Sequence, residues 1–337
     1  MNASKKGLTI MADELKQIDD VREQLQDLRK QVQAGSVYQS LAPKLTALLE
    51  ALPQNDAQPV TLPDDDDGIV ELLTSLREQM QAATLDMITD KQLLKLINHL
   101  GSPSSDIRDY GVYYFFNDAL QQQVLTDDQM RLAMNALLQD KVLFSHITEP
   151  ENDGVFGRSF AVMILSVLAY ADRVGYQFMS AEMSERLVVQ LMTYMALEND
   201  TRGFVGEKGW AHAYTHIGNL LDELADSKTL ARADKIFLMD ELLVKYQHLS
   251  SPLIFGEDRR LAAYLATLIN TNDLYAQAFL QTWRQWRVQL RQMNQPQTEG
   301  EWTKLFNRSR LLSSLLLRDD LPSEVTTVLL AESDFMA

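Results

Sequence analysis

Apolar residues recur at steps of three and four along most of this chain, and that spacing predicts helices. One amphipathic stretch covers residues 11–32 and a second covers residues 38–52, with Gly35 between them. No run has the alternation of a β-strand, and no glycine-rich turn of the strand-to-helix kind is present. We therefore expect an all-α protein with an N-terminal arm of two helices in residues 1–52.

Residues 53–68, PQNDAQPVTLPDDDDG, interrupt the helical pattern with three prolines and four consecutive aspartates. Such a segment has too few apolar side chains to bury, which predicts an exposed acidic linker. We interpret the aspartates as a solvated run that caps the next helix. A calcium loop would need alternating ligands and a distal glutamate, which this segment lacks. The rest of the chain, residues 69–337, is predicted to be one helical-repeat domain.

From residue 90 onward the pattern predicts helices in pairs that recur about every fifty residues. The predicted pairs are 90–100 with 107–122, 126–140 with 155–174, 180–199 with 209–226, 232–249 with 257–269, and 274–293 with 301–318. Arg108, Arg158, His212 and Arg259 lie in successive second helices, separated by 50, 54 and 47 residues. Helix pairs that repeat in this way predict a HEAT/armadillo-like helical-repeat solenoid of about five pairs.

Composition narrows the classes of function. The chain has 31 basic and 47 acidic residues, a formal net charge of -16, which disfavours nucleic acid and anionic membrane surfaces as partners. Cysteine is absent, which excludes disulfides, thiolate metal ligands and a cysteine nucleophile, and fits a cytoplasmic location.

Neither a membrane span nor a signal peptide is expected. The longest strongly apolar stretch, residues 161–171, is shorter than the roughly 20 residues that cross a bilayer. The N-terminal residues have only a brief apolar patch and no cleavage motif. Met1 and Met11 are both candidates for the natural start.

Three motifs stand out from the helical background. They are VFGRSF from Val155, DTRGFVGEKGWAHAYTHIGNLLDELA from Asp200, and EDRRLA from Glu257. Together they resemble the bacterial domain-of-unknown-function family 2785 over roughly residues 90–268. The resemblance implies an all-helical protein and no known activity. The family pattern has an acid where this chain has Asn219, which weakens a metal-binding interpretation carried over from the family.

The densest chemistry lies in residues 200–223, which contain two histidines, a tryptophan and two cations. If residues 209–226 form one helix at about 100° per residue, four polar side chains share a stripe beside the apolar face. These side chains are His212, His216, Asn219 and Glu223. Trp210 and its apolar neighbours are expected to anchor the helix.

Two histidines four residues apart can hold one cation on a helix. His212 and His216 have this spacing, but no glutamate follows His212 as it does in a zinc-protease helix. The alternative is that both histidines form hydrogen bonds to neighbouring helices and line a groove. A divalent metal on this pair is therefore an alternative, and no other cofactor is predicted.

Cations near the motifs need partners. Arg158 lies in the first turn of an apolar helix, where a buried cation requires an acid or an anionic ligand, and the expected acids are Asp153 or Glu151. Arg202 and Lys208 flank a glycine-rich turn. This turn either connects two helices, with Arg202 paired to an acid such as Asp200, or binds an anion at a helix N-terminus.

Three tryptophans near the C-terminus admit two interpretations. Trp283, Trp286 and Trp302 lie close to arginines, as in a base-stacking or partner-binding surface. Their helical spacing favours packing in the core instead, with arginine stems lying along the surface.

The sequence favours a binding or scaffold protein whose groove is lined by the second helix of each pair, with a protein or small molecule as partner. One alternative is a metal-assisted hydrolase using the His212/His216 helix. Another is a regulator that binds a small anion through Arg158, Arg202, Lys208 and Arg259. No catalytic residue is assigned. The ligand-binding candidates are Arg108, Arg158, Arg202, Lys208, Trp210, His212, His216, Asn219, Glu223 and Arg259.

Overall fold

The computed structural model describes residues 2–332, with side chains described for residues 13–332; Met1 and residues 333–337 lie outside this range. Within it the chain is all-helical, as predicted, and one isolated antiparallel bridge joins Phe204 to Trp210. The helices are α1 (Asn2–Gln33), α2 (Leu41–Glu50), α3 (Ile69–Gln81), α4 (Asp90–Asn98), α5 (Ser105–Ile107), α6 (Tyr114–Gln121), α7 (Asp127–Leu137), α8 (Asp140–Leu143), α9 (Gly154–Ala171), α10 (Ala181–Leu197), α11 (Ala213–Asp226), α12 (Arg232–His248), α13 (Glu257–Thr271), α14 (Asp273–Gln292), α15 (Glu299–Leu316) and α16 (Ser323–Leu330).

Each of the ten segments predicted from residue 90 onward contains a helix, whereas α3, α8 and α16 were not predicted. Local chemistry explains several of the starts. Thr89, Thr126 and Thr298 each form a capping box with the Gln or Glu three residues later. Each box satisfies backbone N–H groups that the first helical turn leaves without partners. The two residues of each box are three positions apart, so these helix starts are set by local sequence.

The chain divides into two compact units. The first contains Met1–Pro53, Met192–Thr201 and Leu221–Ala337, and the second contains Gln54–Leu191 and Arg202–Leu220. Nearly all of the predicted linker, residues 53–68, therefore belongs to the second unit. The histidines that the sequence singled out, His212 and His216, also lie in the second unit.

The core of the first unit includes two of the three C-terminal tryptophans. Trp283 is fully buried and Trp286 is 4% exposed, so the prediction of core packing is confirmed for both. Trp302 is 41% exposed, so the prediction of core packing is wrong for this residue. The Arg308 guanidinium lies 4.9 Å from the Trp283 ring centre and forms an ion pair with Glu332.

The central element of the second unit is α9, which is buried on nearly all sides. Among the described residues, one helical segment, Gly154–Tyr176, is long and apolar enough to cross a membrane, with a mean hydropathy of 1.6. No such segment was predicted from the sequence, because its longest strongly apolar stretch, residues 161–171, is shorter. In the structure 78% of the apolar window is buried within the chain, and a buried core helix has the same length and composition.

Residues 53–68, called the strap below, contain no helix or strand, as expected for a linker. The strap nevertheless lies along the second unit and is bonded to it. The Asn55 N–H donates to the carbonyl oxygen of Thr148 at 2.8 Å, and the Gln58 N–H donates to the Glu149 carboxylate at 2.8 Å. The expectation that its aspartates are only solvated is wrong, because Asp65 and Asp67 have side-chain partners.

Candidate functional site

The motif that begins at Asp200 forms a tight loop, residues 202–212, before α11; we call it the site loop. An antiparallel bridge pairs Phe204 with Trp210, and the Val205 N–H donates to the carbonyl oxygen of Gly209 at 2.8 Å. Gly209 has a φ of +75°, and a Cβ placed on it would lie 2.9 Å from the Cβ of Ser105. The site loop therefore requires glycine at position 209 both for its backbone conformation and for its close approach to Ser105.

The helix after the site loop starts later than predicted. We expected it at residue 209, but α11 begins at Ala213. Gly209 and His212 have φ values of +75° and +52°, which no right-handed helix accommodates. The His212 carbonyl oxygen accepts the first helical bond, from the His216 N–H, at 3.0 Å. His212 and Trp210 are therefore on the loop, and the predicted stripe on the helix keeps only His216, Asn219 and Glu223.

Arg108 lies beneath the site loop and is fully buried. Its Nη2 donates to the carbonyl oxygens of Lys208 and Trp210 at 2.8 and 3.1 Å. Its Nη1 donates to the carbonyl oxygen of Ser102 at 2.7 Å, and its Nε lies 2.9 Å from the Asp109 carboxylate. These bonds engage all three guanidinium nitrogens, so Arg108 supports the loop from below.

Arg158 is also buried, with 2% of its surface exposed. Its Nη1 donates to the carbonyl oxygen of Ser145 at 2.6 Å and to the side-chain oxygen of Asn152 at 3.3 Å. The guanidinium thus binds the segment that precedes α9.

The same segment pairs with the two cations of the site loop. Lys208 Nζ lies 2.6 Å from the Asp153 carboxylate, and Arg202 Nε lies 3.7 Å from the Glu151 carboxylate. Arg202 also donates to the carbonyl oxygen of Asn152 at 2.7 Å. The two acids expected near Arg158 therefore form ion pairs with Lys208 and Arg202.

Both histidines of the motif are neutral at neutral pH. Burial lowers the pKa of His212 to about 4, and its ring lies 4.1 Å from the Trp210 ring, centre to centre. The Nε2 atom of His212 is buried and has no hydrogen-bond partner among the residues that the structure describes. Burial, followed by repulsion from His212, lowers the pKa of His216 to about 3. The Nδ1–H of His216 donates to the carbonyl oxygen of Ser159 at 2.9 Å.

The histidine pair lacks the surroundings of a metal centre. The rings of His212 and His216 are 6.2 Å apart, centre to centre. Among the residues whose structure is described, no group of three or more His, Asp or Glu side chains is placed to hold a metal ion. The Asn219 amide contacts the sulfur of Met163 at 3.2 Å. The two imidazoles are therefore the whole donor set that the described residues bring together here.

The remaining candidates lie in the first unit. Glu223 is half-buried on α11, and Arg259 is exposed on α13. The other eight, from Arg108 to Asn219, lie in the second unit. Five of them are on the loop or beneath it; Arg202 bonds to Asn152, and the other four contact one another. Those four are Arg108, Lys208, Trp210 and His212.

Sequence reasoning overlooked Phe204, which is 51% exposed. Its ring packs edge-to-face on Trp210, itself 39% exposed, with 4.9 Å between the ring centres. Two glycines close to Phe204 in RGFVG could have marked it as a loop-tip aromatic. We call Phe204, Trp210 and His212 the aromatic surface.

Comparison with known proteins gives one match. No curated protein and no solved structure is similar enough to match this chain. The family model described as "Protein of unknown function (DUF2785)" matches residues 143–317, just over half of the chain. The match starts later than the resemblance predicted and includes α14 and α15, which the sequence analysis placed outside it. It contains the site loop and the segment that pairs with it, and the chain therefore belongs to the DUF2785 family.

Proposed function

We propose that this chain is a binding protein that recognises another protein through the aromatic surface. The observation that carries the proposal is the exposed pair Phe204 and Trp210 on a loop fixed from below. In protein–protein interfaces, a tryptophan at the centre of the contact area, with charged residues around the edge of that area, typically contributes much of the binding energy. Arg202 and Lys208 lie on the same loop and supply such an edge.

Rigidity supports a binding role for this loop. Arg108 bonds to the carbonyl oxygens of Lys208 and Trp210, and Lys208 is paired with Asp153. A loop that is already ordered loses little conformational entropy when a partner docks, so more of the contact energy appears as affinity. His212 extends the apolar face of Trp210 because it is uncharged at neutral pH.

The two alternatives receive less support. Metal-assisted hydrolysis needs a third ligand, and the pair of His212 and His216 is all that the described residues assemble at this point. An anion site needs cations that are open to a ligand. Arg158, Arg202 and Lys208 are each engaged with carbonyl or carboxylate oxygens of the segment before α9.

The finer architecture is part of the proposal. The spacing of about fifty residues between Arg108, Arg158, His212 and Arg259 supports a HEAT/armadillo-like array, a fold type that presents extended binding surfaces. The absence of cysteine supports a cytoplasmic site of action.

Affinity capture from a cell extract tests the proposal, with wild-type protein, Trp210→Ala and Trp302→Ala as baits. Trp302 is a matched control because it is 41% exposed and packs near another exposed aromatic, Phe306. We expect Trp210→Ala to lose the specific partners that wild type and Trp302→Ala both retain. The same partners on all three baits, or none on wild type, would contradict the proposal.

A further inference from the structure

A groove in the second unit lies between α3 and the segment that leads into α6. That segment contains a π-helical turn, Arg108–Tyr113, after which the Tyr114 N–H bonds to the carbonyl oxygen of Asp109, five residues earlier. Turns of this kind inside helices are frequent at functional sites. The groove has a volume of about 480 Å³, which is within the range of pockets that bind small molecules.

Two exposed tyrosines line this groove above buried apolar side chains. Tyr110 is 57% exposed and Tyr114 is 49% exposed, and their rings are stacked, with 5.8 Å between the ring centres and 17° between the ring planes. The buried lining includes Leu73, Met80 and Phe115. A flat ligand between the two rings would need about 7 Å, because carbon atoms in contact are about 3.5 Å apart. The tyrosines therefore do not sandwich a flat ring, and a ligand lies along them instead.

The polar side chains of the groove supply both hydrogen-bond donors and acceptors. Arg77 Nη2 donates to the carbonyl oxygen of Tyr110 at 2.8 Å, which places the guanidinium beside the tyrosines. The side chains of Gln81, Asp118 and Gln122 form no hydrogen bond or ion pair with any residue that the structure describes. A guanidinium only donates, a carboxylate only accepts, and an amide does both. This set matches hydroxyl groups, because each hydroxyl donates and accepts.

The charges in the groove disfavour an ionic ligand. Of the described residues that line it, two are charged, Arg77 and Asp118, and their charges are opposite. A cationic ligand would be repelled by Arg77. An anionic ligand would be repelled by Asp118 and by the net charge of -16 on the chain. The lining therefore favours a neutral ligand that carries several hydroxyl groups.

We propose that this groove binds a neutral carbohydrate. The C–H face of a sugar ring lies against Tyr110 and Tyr114, whose rings are apolar on their faces, and the hydroxyl groups bond to Arg77, Asp118 and the two glutamine amides. The groove is separate from the aromatic surface, because none of the three residues of that surface lines it. The inference therefore does not depend on the proposed protein partner.

Saturation-transfer difference NMR on the full-length chain tests the proposal. The neutral probes are maltotriose, cellotriose and chitotriose with all amines acetylated, and the charged probes are spermidine, adenosine monophosphate and betaine. We expect saturation transfer to the ring protons of at least one neutral sugar and weaker transfer to every charged probe. Transfer to none of the neutral sugars, or equal or stronger transfer to a charged probe, would overturn the proposal.

Variants place the bound sugar in the groove. Tyr114→Ala and Asp118→Asn change exposed groove residues, and Tyr170→Ala and Asp128→Asn are matched controls. Tyr170 is 50% exposed on α9 and Asp128 is exposed on α7, and neither lines the groove. We expect each groove variant to raise the Kd for the bound sugar by roughly tenfold or more, because a stacking face or a hydrogen bond to a charged group is lost. The controls should change it by less than about twofold. Unchanged binding in the groove variants, or equal losses in the controls, would contradict the proposal.

Discussion

At the scale of single residues, Arg108 shows that burial can give a charged side chain a structural role in place of a ligand-binding one. The sequence placed it among the ligand-binding candidates because it begins a second helix. In the structure its guanidinium is fully buried, with the rings of Phe156 and Phe160 4.4 and 4.8 Å away. Its partners Lys208 and Trp210 are about a hundred residues away in sequence, so no local pattern could have identified them.

Replacement of Arg108 by Met is expected to destabilise the protein by about 3 kcal/mol or more, because it leaves Asp109 and three carbonyl oxygens without their donor. Denaturant unfolding monitored by circular dichroism measures this loss. Arg259→Met is the control, since Arg259 is exposed, and it should change the free energy of unfolding by no more than about 0.5 kcal/mol. Similar stability of the two variants would contradict the role of Arg108.

Burial of His216 makes the free energy of unfolding depend on pH in the acid range. Its pKa is about 3 in the folded chain, below the ordinary value of 6.5, so the unfolded chain binds more protons between these values. Stability from this group is therefore present above about pH 6.5 and decreases as pH falls, by up to about 1.4 kcal/mol per pH unit. His216→Asn keeps an N–H for the Ser159 carbonyl and should flatten this dependence. An unchanged slope between about pH 6 and about pH 4 would contradict the assignment.

At the scale of elements, helices were predictable and their junctions were not. Helical periodicity and threonine caps act over a few residues, so the ten helices after residue 90 could be placed from sequence. The start of α11 was misplaced because Trp210 and His212 fit a helical wheel, whereas the left-handed backbone at Gly209 and His212 depends on packing against Ser105 and Arg108. The contacts of the strap were not predicted because they too depend on packing between residues distant in sequence. His99, which contacts the Asp64 carbonyl oxygen, is 35 residues from Asp64.

Gly209 is expected to be the most sensitive position of the site loop. Gly209→Ala introduces a Cβ at 2.9 Å from Ser105 as well as strain from its positive φ. Gly206→Ala is the matched control, because Gly206 also has a positive φ but no described atom lies within 4 Å of a Cβ placed on it. We expect about 1 kcal/mol of destabilisation for Gly206→Ala and at least twice as much for Gly209→Ala. Thermal unfolding distinguishes the two outcomes, and equal losses would contradict the close packing.

At the scale of the whole molecule, the two units contain buried groups whose pKa shifts change stability with pH in opposite directions. In the second unit, His212 and His216 have lowered pKa values, so acid destabilises it. In the first unit, burial raises the pKa of Asp240 to about 7, although a hydrogen bond from the Thr282 hydroxyl at 2.7 Å acts in the opposite direction. We therefore expect the two effects on stability to oppose each other between about pH 4 and about pH 6.5.

Asp240→Asn tests the contribution that is lost as pH rises. Because the folded pKa of Asp240 is raised, its contribution is fully present below about pH 4 and is lost as pH rises to about 7. Asparagine keeps an acceptor for Thr282 and cannot ionise, so the variant should be more stable than wild type above about pH 7, by on the order of a few kcal/mol. Unfolding free energies at several pH values measure this, and a variant that is less stable at every pH would contradict it.

The sequence also identified the family and the region that contains the candidate site, because the motifs around His212 are local strings of residues. It could not separate supporting residues from exposed ones. The bridge to Trp210 shows that Phe204 belongs to the aromatic surface, and the burial of Arg108 shows that it supports the loop instead of contacting a ligand. Neither role can be recognised before these contacts are known.

Site-specific photocrosslinking tests the central claim, that this chain binds a protein partner through the aromatic surface. A photoreactive phenylalanine analogue at position 204 is compared with the same analogue at position 306, since Phe204 and Phe306 are 51% and 49% exposed and each lies against a tryptophan. Our account predicts a discrete crosslinked product in cell extract from position 204 only. No product from position 204, or the same product from both positions, would contradict it.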